Sequence, residues 1–555
     1  MIRFGFLIFS TLVSLQAFSV EVKWFEMDNA EMEIELNLTP EELTLEKVKS
    51  QGRTFSRLPI HGEGFQTGHE GLPETPLIHR WLAVSEKSQY RFEVVPGNYK
   101  TYHNVLLYPA QADVLESETP TFTMDHKAYL QNRWYGSSRV MLGRRGKLGP
   151  VTILPISFSP AAYHPLKREL RVYETLRIRL IRVDEELKDE EPKPVSQFAA
   201  EQIAQLTLNG ESFLRRQAKV ARAKKVLIVY APIHQKAAED ITQLYQGQGL
   251  EVYRLEALAG LKPTALKEVL NAEYKKWNLD AVLLLGDETN IPMKDSSGKV
   301  GDYSYSLVSG TDAISDISIG RYPIKNAVQG QMIVNKLKRY QALYQAGYRN
   351  KKVMLIAHHQ NYPGKYTGNM ESIRKSANPK NLEFNTQYGG EQAKNGTVIA
   401  EAQKGYAIIN YRGHGSASSW SGWGSDGASF STNQVKSLPD SETSLSFIFN
   451  VACTNGAIQN SAPVIAEKEL FPNEDPASLQ GAVSTFGATA PSLTEVNHRF
   501  NSNLFEYLQS DAEVSIGSIY TLANNKLTKD NGGSATSNTR MYILFSDPLL
   551  VPWIQ

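Results

Sequence analysis

The residues best suited to chemistry are His414 and Cys453, the latter the single cysteine in 555 residues. Each follows a run that reads as a β-strand. Tyr406-Ala407-Ile408-Ile409-Asn410-Tyr411 leads into Arg412-Gly413-His414-Gly415-Ser416, and Ser446-Phe447-Ile448-Phe449-Asn450-Val451-Ala452 leads into Cys453-Thr454-Asn455-Gly456. In open α/β sheets reactive groups gather on the loops at the carboxyl ends of strands. An imidazole placed there can hold a thiolate as an ion pair and later protonate a leaving amine, while flanking glycines let the backbone approach a substrate closely. The N–H groups of Gly415 and Cys453 are candidates to bind a developing oxyanion. Taken singly, Gly413-His414-Gly415 also reads as a tight turn and Cys453 as a small buried hydrophobe. Their conjunction points to a thiol nucleophile with a histidine partner.

The elements that must position this pair are apolar runs alternating with helical stretches: Val226–Tyr230, Ala281–Leu285, Val353–Ala357, Tyr406–Ile409, Phe447–Phe449 and Ala482–Phe486, with helices around Val328–Tyr344 and Phe500–Leu527. Runs of this kind suit parallel strands covered on both faces. The expectation is an α/β fold, an open, mostly parallel sheet flanked by helices, with a first α/β subdomain over 226–348 and a catalytic subdomain over 349–555. Residues 20–183 instead show short alternating runs broken by Pro and Gly, such as Leu170-Arg171-Val172-Tyr173, and read as a β-rich domain. Between them, 184–225 reads as a linker, acidic and proline-ended from Asp184 to Pro194. It turns basic between Phe213 and Lys225, where six of thirteen residues are Arg or Lys and none is acidic.

Net charge narrows the partners. Fifty-nine Lys and Arg against 58 Asp and Glu leave +1, so no global field draws nucleic acid or an anionic membrane. Residues 1–19 carry Arg3, an apolar stretch from Phe6 to Leu15 and Ala17-Phe18-Ser19, the pattern of a secretory signal peptide. No later segment is apolar for long enough to span a membrane. The expected localisation is periplasmic or extracellular, and a lone cysteine excludes an intramolecular disulfide.

The two words Asn410-Tyr411-Arg412-Gly413-His414-Gly415-Ser416 and Asn450-Val451-Ala452-Cys453-Thr454-Asn455-Gly456, in that order, resemble those of the gingipain-like cysteine peptidases, family C25 of the caspase-like clan. Leu283-Leu284-Leu285-Gly286-Asp287, Ile319-Gly320-Arg321-Tyr322-Pro323 and Tyr542–Leu550 resemble further family segments, so the likeness runs from about Lys224 onward. The resemblance implies a caspase-like sheet and a secreted cysteine-type endopeptidase made as a proenzyme, with His414 and Cys453 catalytic. It also implies a β-rich propeptide upstream, protein or peptide substrates, no required cofactor, and structural calcium on surface carboxylates. The C-terminal modules of many members are expected to be absent.

Departures from the family pattern concern the third catalytic position and specificity. Where the family places an acidic residue after the strand matching Val353–Ala357, this chain reads His358-His359-Gln360-Asn361, leaving Gln360 or His358 to orient His414. Glu371 is the nearest acid for a substrate pocket, and Trp420 resembles an aromatic wall beside it. A basic preference would let Arg215, Arg216 or Arg222 serve as a self-cleavage point. Adjacent His358 and His359 on a strand would point to opposite sides, and no HExxH occurs, so no metal site is assigned. Two other readings share these residues: a sortase-like transpeptidase or protein-processing peptidase, and a catalytically inactive exported binding protein on a peptidase fold.

Overall fold

A computed structural model describes residues 21–554 apart from 27–31, 39–43, 61–68, 96, 184–191, 296–299, 377, 392, 424–427, 461–462, 511–512 and 532. The signal-peptide pattern of 1–19 and most of the acidic stretch lie outside the described residues.

The apolar runs form two sheets. In the first, four parallel strands lie in the order Glu251–Glu256, Lys225–Tyr230, Ala281–Leu285 and Ser318–Tyr322. In the second, five parallel strands lie in the order Glu383–Tyr388, Lys352–Ala357, Ile408–Arg412, Ser446–Val451 and Ala482–Ala488, closed by antiparallel Tyr542–Phe545. The central strands are buried at every position, which is why their sequences show runs and no alternation. The helix expected around Val328–Tyr344 spans Ala327–Gln345, capped by the Asn326 side chain, which accepts from Gln329 N–H. The stretch Phe500–Leu527 falls in two helices, Thr494–Leu508 and Ile516–Asn531.

The N-terminal region is a set of antiparallel sheets, one ordered Glu21–Glu26, Met32–Asn37, Thr175–Arg182, Tyr90–Val95. Along Thr175–Arg182 the buried Leu176, Ile178 and Leu180 alternate with outward Arg177 and Arg179. They join Ile34, Leu36, Ile156 and Phe158 in a separate core.

The linker expectation needs correction. Lys193–Val195 pairs in parallel with Ala218–Val220, and the helices Gln197–Leu206 and Gly210–Gln217 lie between them. Phe198, Ile203, Leu206 and Phe213 bury into the core of the α/β region, while Arg215 and Arg216 occupy the exposed last turn of the second helix. The basic residues mark the solvent face of folded structure, a face that composition alone makes resemble a loose connector.

The two α/β sheets meet edge to edge at Gly320. A Cβ there would stand 2.3 Å from Ser546 O and 2.8 Å from Pro548 Cδ, so no larger residue fits without parting the sheets. Gly320→Ala is expected to destabilise the protein by about 1–3 kcal/mol through overpacking. Gly396→Ala, on the helix Asn395–Ala402 with nothing within 4 Å of the added atom, should be neutral or slightly stabilising. Thermal denaturation of the two variants side by side checks this; equal midpoints would refute it.

Candidate active site

Pairing register places Arg412 opposite Val451 on adjacent parallel strands, and His414 and Cys453 each stand two residues beyond that pair. The loops after the strands are fastened together. Asn455 Nδ2 donates to Ser416 O at 2.5 Å and to Ser419 O at 3.0 Å, and a Cβ on Gly415 would lie 2.7 Å from Cys453 O. Gly413 has as little room: a Cβ there would fall 2.4 Å from the Tyr411 hydroxyl and 2.6 Å from His358 Cβ. That hydroxyl donates to His414 O at 2.6 Å, closing the turn that carries the imidazole. After Cys453 the chain reverses through Thr454, at φ +55°, a left-handed conformation uncommon for a threonine.

His414 Nε2 lies 2.7 Å from Gln360 Oε1. The same oxygen accepts from Lys365 Nζ at 3.1 Å, and because an ammonium only donates, the atom facing His414 must be the amide oxygen. Nε2 therefore carries the hydrogen, and Nδ1 keeps its lone pair. His358 does not hydrogen-bond His414. Its ring stands edge-on at 4.9 Å between centroids, and its Nδ1 accepts from Gln360 N–H at 3.1 Å, so it holds the residue that holds His414. Burial first, then the neighbouring His414 and His359, push its pKa down to about 3. The His358 and His359 rings lie 4.3 Å apart and touch, contrary to the opposite-sides expectation, because both follow the end of the strand at Ala357.

The thiol is held from the other side. Ser492 N–H donates to Cys453 Sγ at 3.3 Å, and Ser492 Oγ, which accepts from Asn497 Nδ2 at 2.7 Å, lies 3.5 Å from it. Burial raises the Cys453 pKa against the lowering effect of those bonds. Burial also lowers His414, outweighing the opposing charge of Glu116. In this covered state burial therefore works against charge on both members of the pair.

The cover comes from the N-terminal domain. Leu115 forms an antiparallel bridge with Leu493; Glu116 N–H donates to Ser492 O at 3.0 Å, and Thr494 N–H donates to Val114 O at 3.0 Å. The Glu116 side chain enters the space beside the pair and meets the Arg412 guanidinium at 2.5 Å, with both side chains fully buried. Its carboxylate also accepts from Tyr366 Oη at 2.7 Å, Asn497 Nδ2 at 3.0 Å and Thr494 Oγ1 at 3.2 Å, with Lys365 Nζ 3.8 Å away. Tyr366 Oη is also 3.4 Å from His414 Nε2, so one hydroxyl touches both the inserted carboxylate and the imidazole.

A family model described as Peptidase family C25 matches residues 220–553. The chain belongs to peptidase family C25. The C25 propeptide model matches residues 21–202, the region that supplies Glu116. Among curated relatives, gingipain R1 of Porphyromonas gingivalis is 26% identical over 444 residues, covering 76% of this chain and 43% of the relative. Gingipain R2 of the same species is 25% identical over 448 residues, covering 76% and 58%. The chain thus spans about half the length of these relatives. The solved Arg specific cysteine proteinase gingipain R superposes with a TM-score of 0.53 at 20% identity, covering 60% of this chain and 79% of that one, a likeness in fold.

Of the two residues expected at a substrate pocket, one lines a cavity and the other packs in the core. Glu371 lies five residues beyond Tyr366 on the helix Lys365–Lys375, at the wall of an open cavity it shares with Tyr362, Thr367 and Tyr388; Arg374 Nε and Nη2 donate to it at 2.8 and 2.7 Å and Tyr388 Oη at 3.0 Å. Those Arg374 bonds above all hold its pKa down to about 2. Trp420 is buried between Tyr411 and Phe430, stacked at 4.8 and 4.6 Å, with Nε1 donating to Asn450 Oδ1; it is a packing anchor. The residues that do surround the pair, Arg412, Lys365, Tyr366, Ser492 and Asn497, were not singled out from sequence. A signal existed for one: an arginine ending a strand that is otherwise buried must have an anion or carbonyls to meet.

Glu116 makes the covering contact pH-dependent. Burial opposes its ionisation, but Arg412 together with Tyr366 and Asn497 outweighs burial and lowers its pKa below the ordinary 4.5. A lowered folded value contributes stability that is full above about 4.5 and is lost as pH falls through that lower value. In a chain nicked between Phe213 and Lys225, size-exclusion chromatography from pH 7 to pH 3 should show the N-terminal domain held at neutrality and released at the acid end. Glu116→Gln should weaken the hold at neutrality and flatten its pH dependence; an unchanged profile in that variant would refute the assignment.

Proposed function

We propose that this C25 member is a cysteine endopeptidase, exported under the signal pattern of residues 1–19 and made as a proenzyme. Its Cys453 attacks a peptide carbonyl with His414 as acid and base. The observation that carries this reading is the tautomer of His414: Gln360 takes the Nε2 hydrogen, which leaves Nδ1 as the basic nitrogen on a loop fastened to that of Cys453. Proton transfer from Sγ to Nδ1 gives the thiolate, and attack forms a tetrahedral oxyanion opposite the N–H groups of Gly415 and Cys453. The imidazolium then gives its proton to the leaving amine. Water, activated by the same nitrogen, hydrolyses the thioester and regenerates the thiol. Gln360 supports an active enzyme despite the missing carboxylate, because a neutral acceptor fixes the ring and its tautomer, though it stabilises an imidazolium less.

Maturation by self-cleavage after Arg215, Arg216 or Arg222 loses its support. The acid nominated to receive such an arginine, Glu371, is already paired, and the space beside Cys453 is lined by cations. Processing of the folded connector therefore falls to another enzyme.

Cys453→Ala and His414→Ala should each reduce peptide cleavage by about 1000-fold or more while leaving the thermal midpoint within a few degrees of the parent. Gln360→Ala should cost less, about 10–100-fold in kcat/KM, with the pH–rate profile displaced because the tautomer is no longer fixed. Full turnover in either dyad variant would overturn the assignment.

A further inference from the structure

The segment that covers the thiol resembles a substrate. Val114–Glu116 lies antiparallel to Ser492–Thr494, joined by Glu116 N–H to Ser492 O and Thr494 N–H to Val114 O. That is strand addition, the mode in which extended peptides dock on an open backbone edge. The edge is the loop whose Ser492 N–H points at Cys453 Sγ, so the residue at position 116 stands where the residue preceding a scissile bond would stand. Beyond Glu116 the chain turns at once: Glu118 N–H donates to Leu115 O, and Glu118 Oε2 accepts from Leu115 N–H, both at 3.0 Å. A true substrate would continue across the thiol. Here the chain folds back on Leu115 instead of continuing extended, which would leave an occupied but unproductive site.

The pocket that receives the side chain is held by partners within the α/β region. Arg412 is fixed by His498 Nδ1, which accepts from its Nε at 3.2 Å, and by the carbonyls of Thr494 at 2.9 Å and Val451 at 3.3 Å. Its direction toward the pocket does not depend on Glu116. Tyr366 Oη, Asn497 Nδ2, Thr494 Oγ1 and Lys365 Nζ converge on the same point, and every one of these groups can donate. Five donors, two of them cationic, form a site for an anion, with Glu495 near Lys365 as the one α/β carboxylate that acts on them among the described residues. A buried guanidinium left unpaired is costly, so an occupant lacking negative charge is rejected by the charge it leaves uncompensated.

We propose that the pocket formed by Arg412, Lys365, Tyr366, Thr494 and Asn497 selects substrates with a glutamate preceding the scissile bond, and that Glu116 is the internal copy of that side chain. The proposal rests on the peptidase reading above and sets this chain apart from a relative described as Arg specific. Glutamate is favoured over aspartate because Glu116 already spans the distance from the strand to Arg412, and one methylene fewer falls short of the donors.

The test is a digest of a mixed peptide library by the full chain nicked between Phe213 and Lys225, with cut sites read by mass spectrometry. Cuts after Glu are expected to exceed those after Arg or Lys by at least about 100-fold, and those after Asp by a smaller factor. A peptide spanning residues 112–119 should inhibit, and its Glu116→Gln counterpart should inhibit at least about 10-fold more weakly. This second arm needs no variant of the enzyme to fold. Cuts chiefly after Arg or Lys, or without preference, would overturn the acidic pocket and leave the thiol peptidase standing. Absence of any cut, together with slow alkylation of Cys453 in the nicked chain after acid release of the N-terminal domain, would overturn the peptidase reading and the pocket with it.

Discussion

The site is organised around one buried ion pair. Glu116 and Arg412 are both fully withdrawn from solvent, and either charge alone would be destabilising by several kcal/mol. Each therefore dictates what surrounds it. Arg412 ends a buried strand with no water to meet its charge, so it is caught by two carbonyls and His498, with one edge left for a carboxylate. Among the described residues, the side-chain partners of Glu116 all come from the α/β region, so its ionised form is stable only where that region supplies donors. The domain is held elsewhere too, by Lys147 and Gly149 N–H donating to Asp312 and Asp316 and by a shared apolar core.

Around that pair the register of the second sheet does the positioning. Parallel strands that end level, at Arg412 and Val451, put the two following loops side by side. The close approaches at Gly413 and Gly415 then leave the imidazole and thiol little freedom to be elsewhere. The strand beside them, Lys352–Ala357, ends with His358 N–H donating to Arg412 O at 3.1 Å, and so delivers Gln360 to the far nitrogen of His414. The proposed specificity and reactivity thus share one set of strand ends: Arg412, two residues from His414, meets Glu116, and Tyr366 touches both Glu116 and His414.

What could be read in the sequence followed from burial and local order. The parallel strands announced themselves as unbroken apolar runs, and His414 and Cys453 by following two of them. Gln360 was reachable as the polar residue just beyond a third. Glu116 was not, because nothing in Val114-Leu115-Glu116-Ser117 marks it off from an ordinary exposed loop; its role exists only once two regions distant in sequence meet. Trp420 misled for the converse reason: it is the right kind of residue near the right strand, but stacking draws it into the core. The connector misled through composition, since its basic residues are the outer face of a helix and strand whose inner face is apolar.

The covering segment restrains the thiol in two physically distinct ways. It fills the groove, and it removes water. Desolvation penalises charge on both partners, raising the thiol pKa and lowering that of the imidazole, so proton transfer between them is opposed from both ends at once. Glu116 acts in both directions: its charge favours the imidazolium at His414, where burial outweighs it, and disfavours the thiolate at Cys453. Departure of the segment would readmit water to the thiol and imidazole and at the same moment leave Arg412 without its anion. The empty site would then have a recovered capacity for charge separation at Cys453 and His414 and an unmet demand for a carboxylate two residues away. A peptide bringing that carboxylate satisfies the demand and again excludes water, now with its carbonyl over the thiol. Binding energy from the guanidinium is in this way available to hold the reacting carbonyl in place, which is how a pocket remote from the broken bond can serve the step that breaks it.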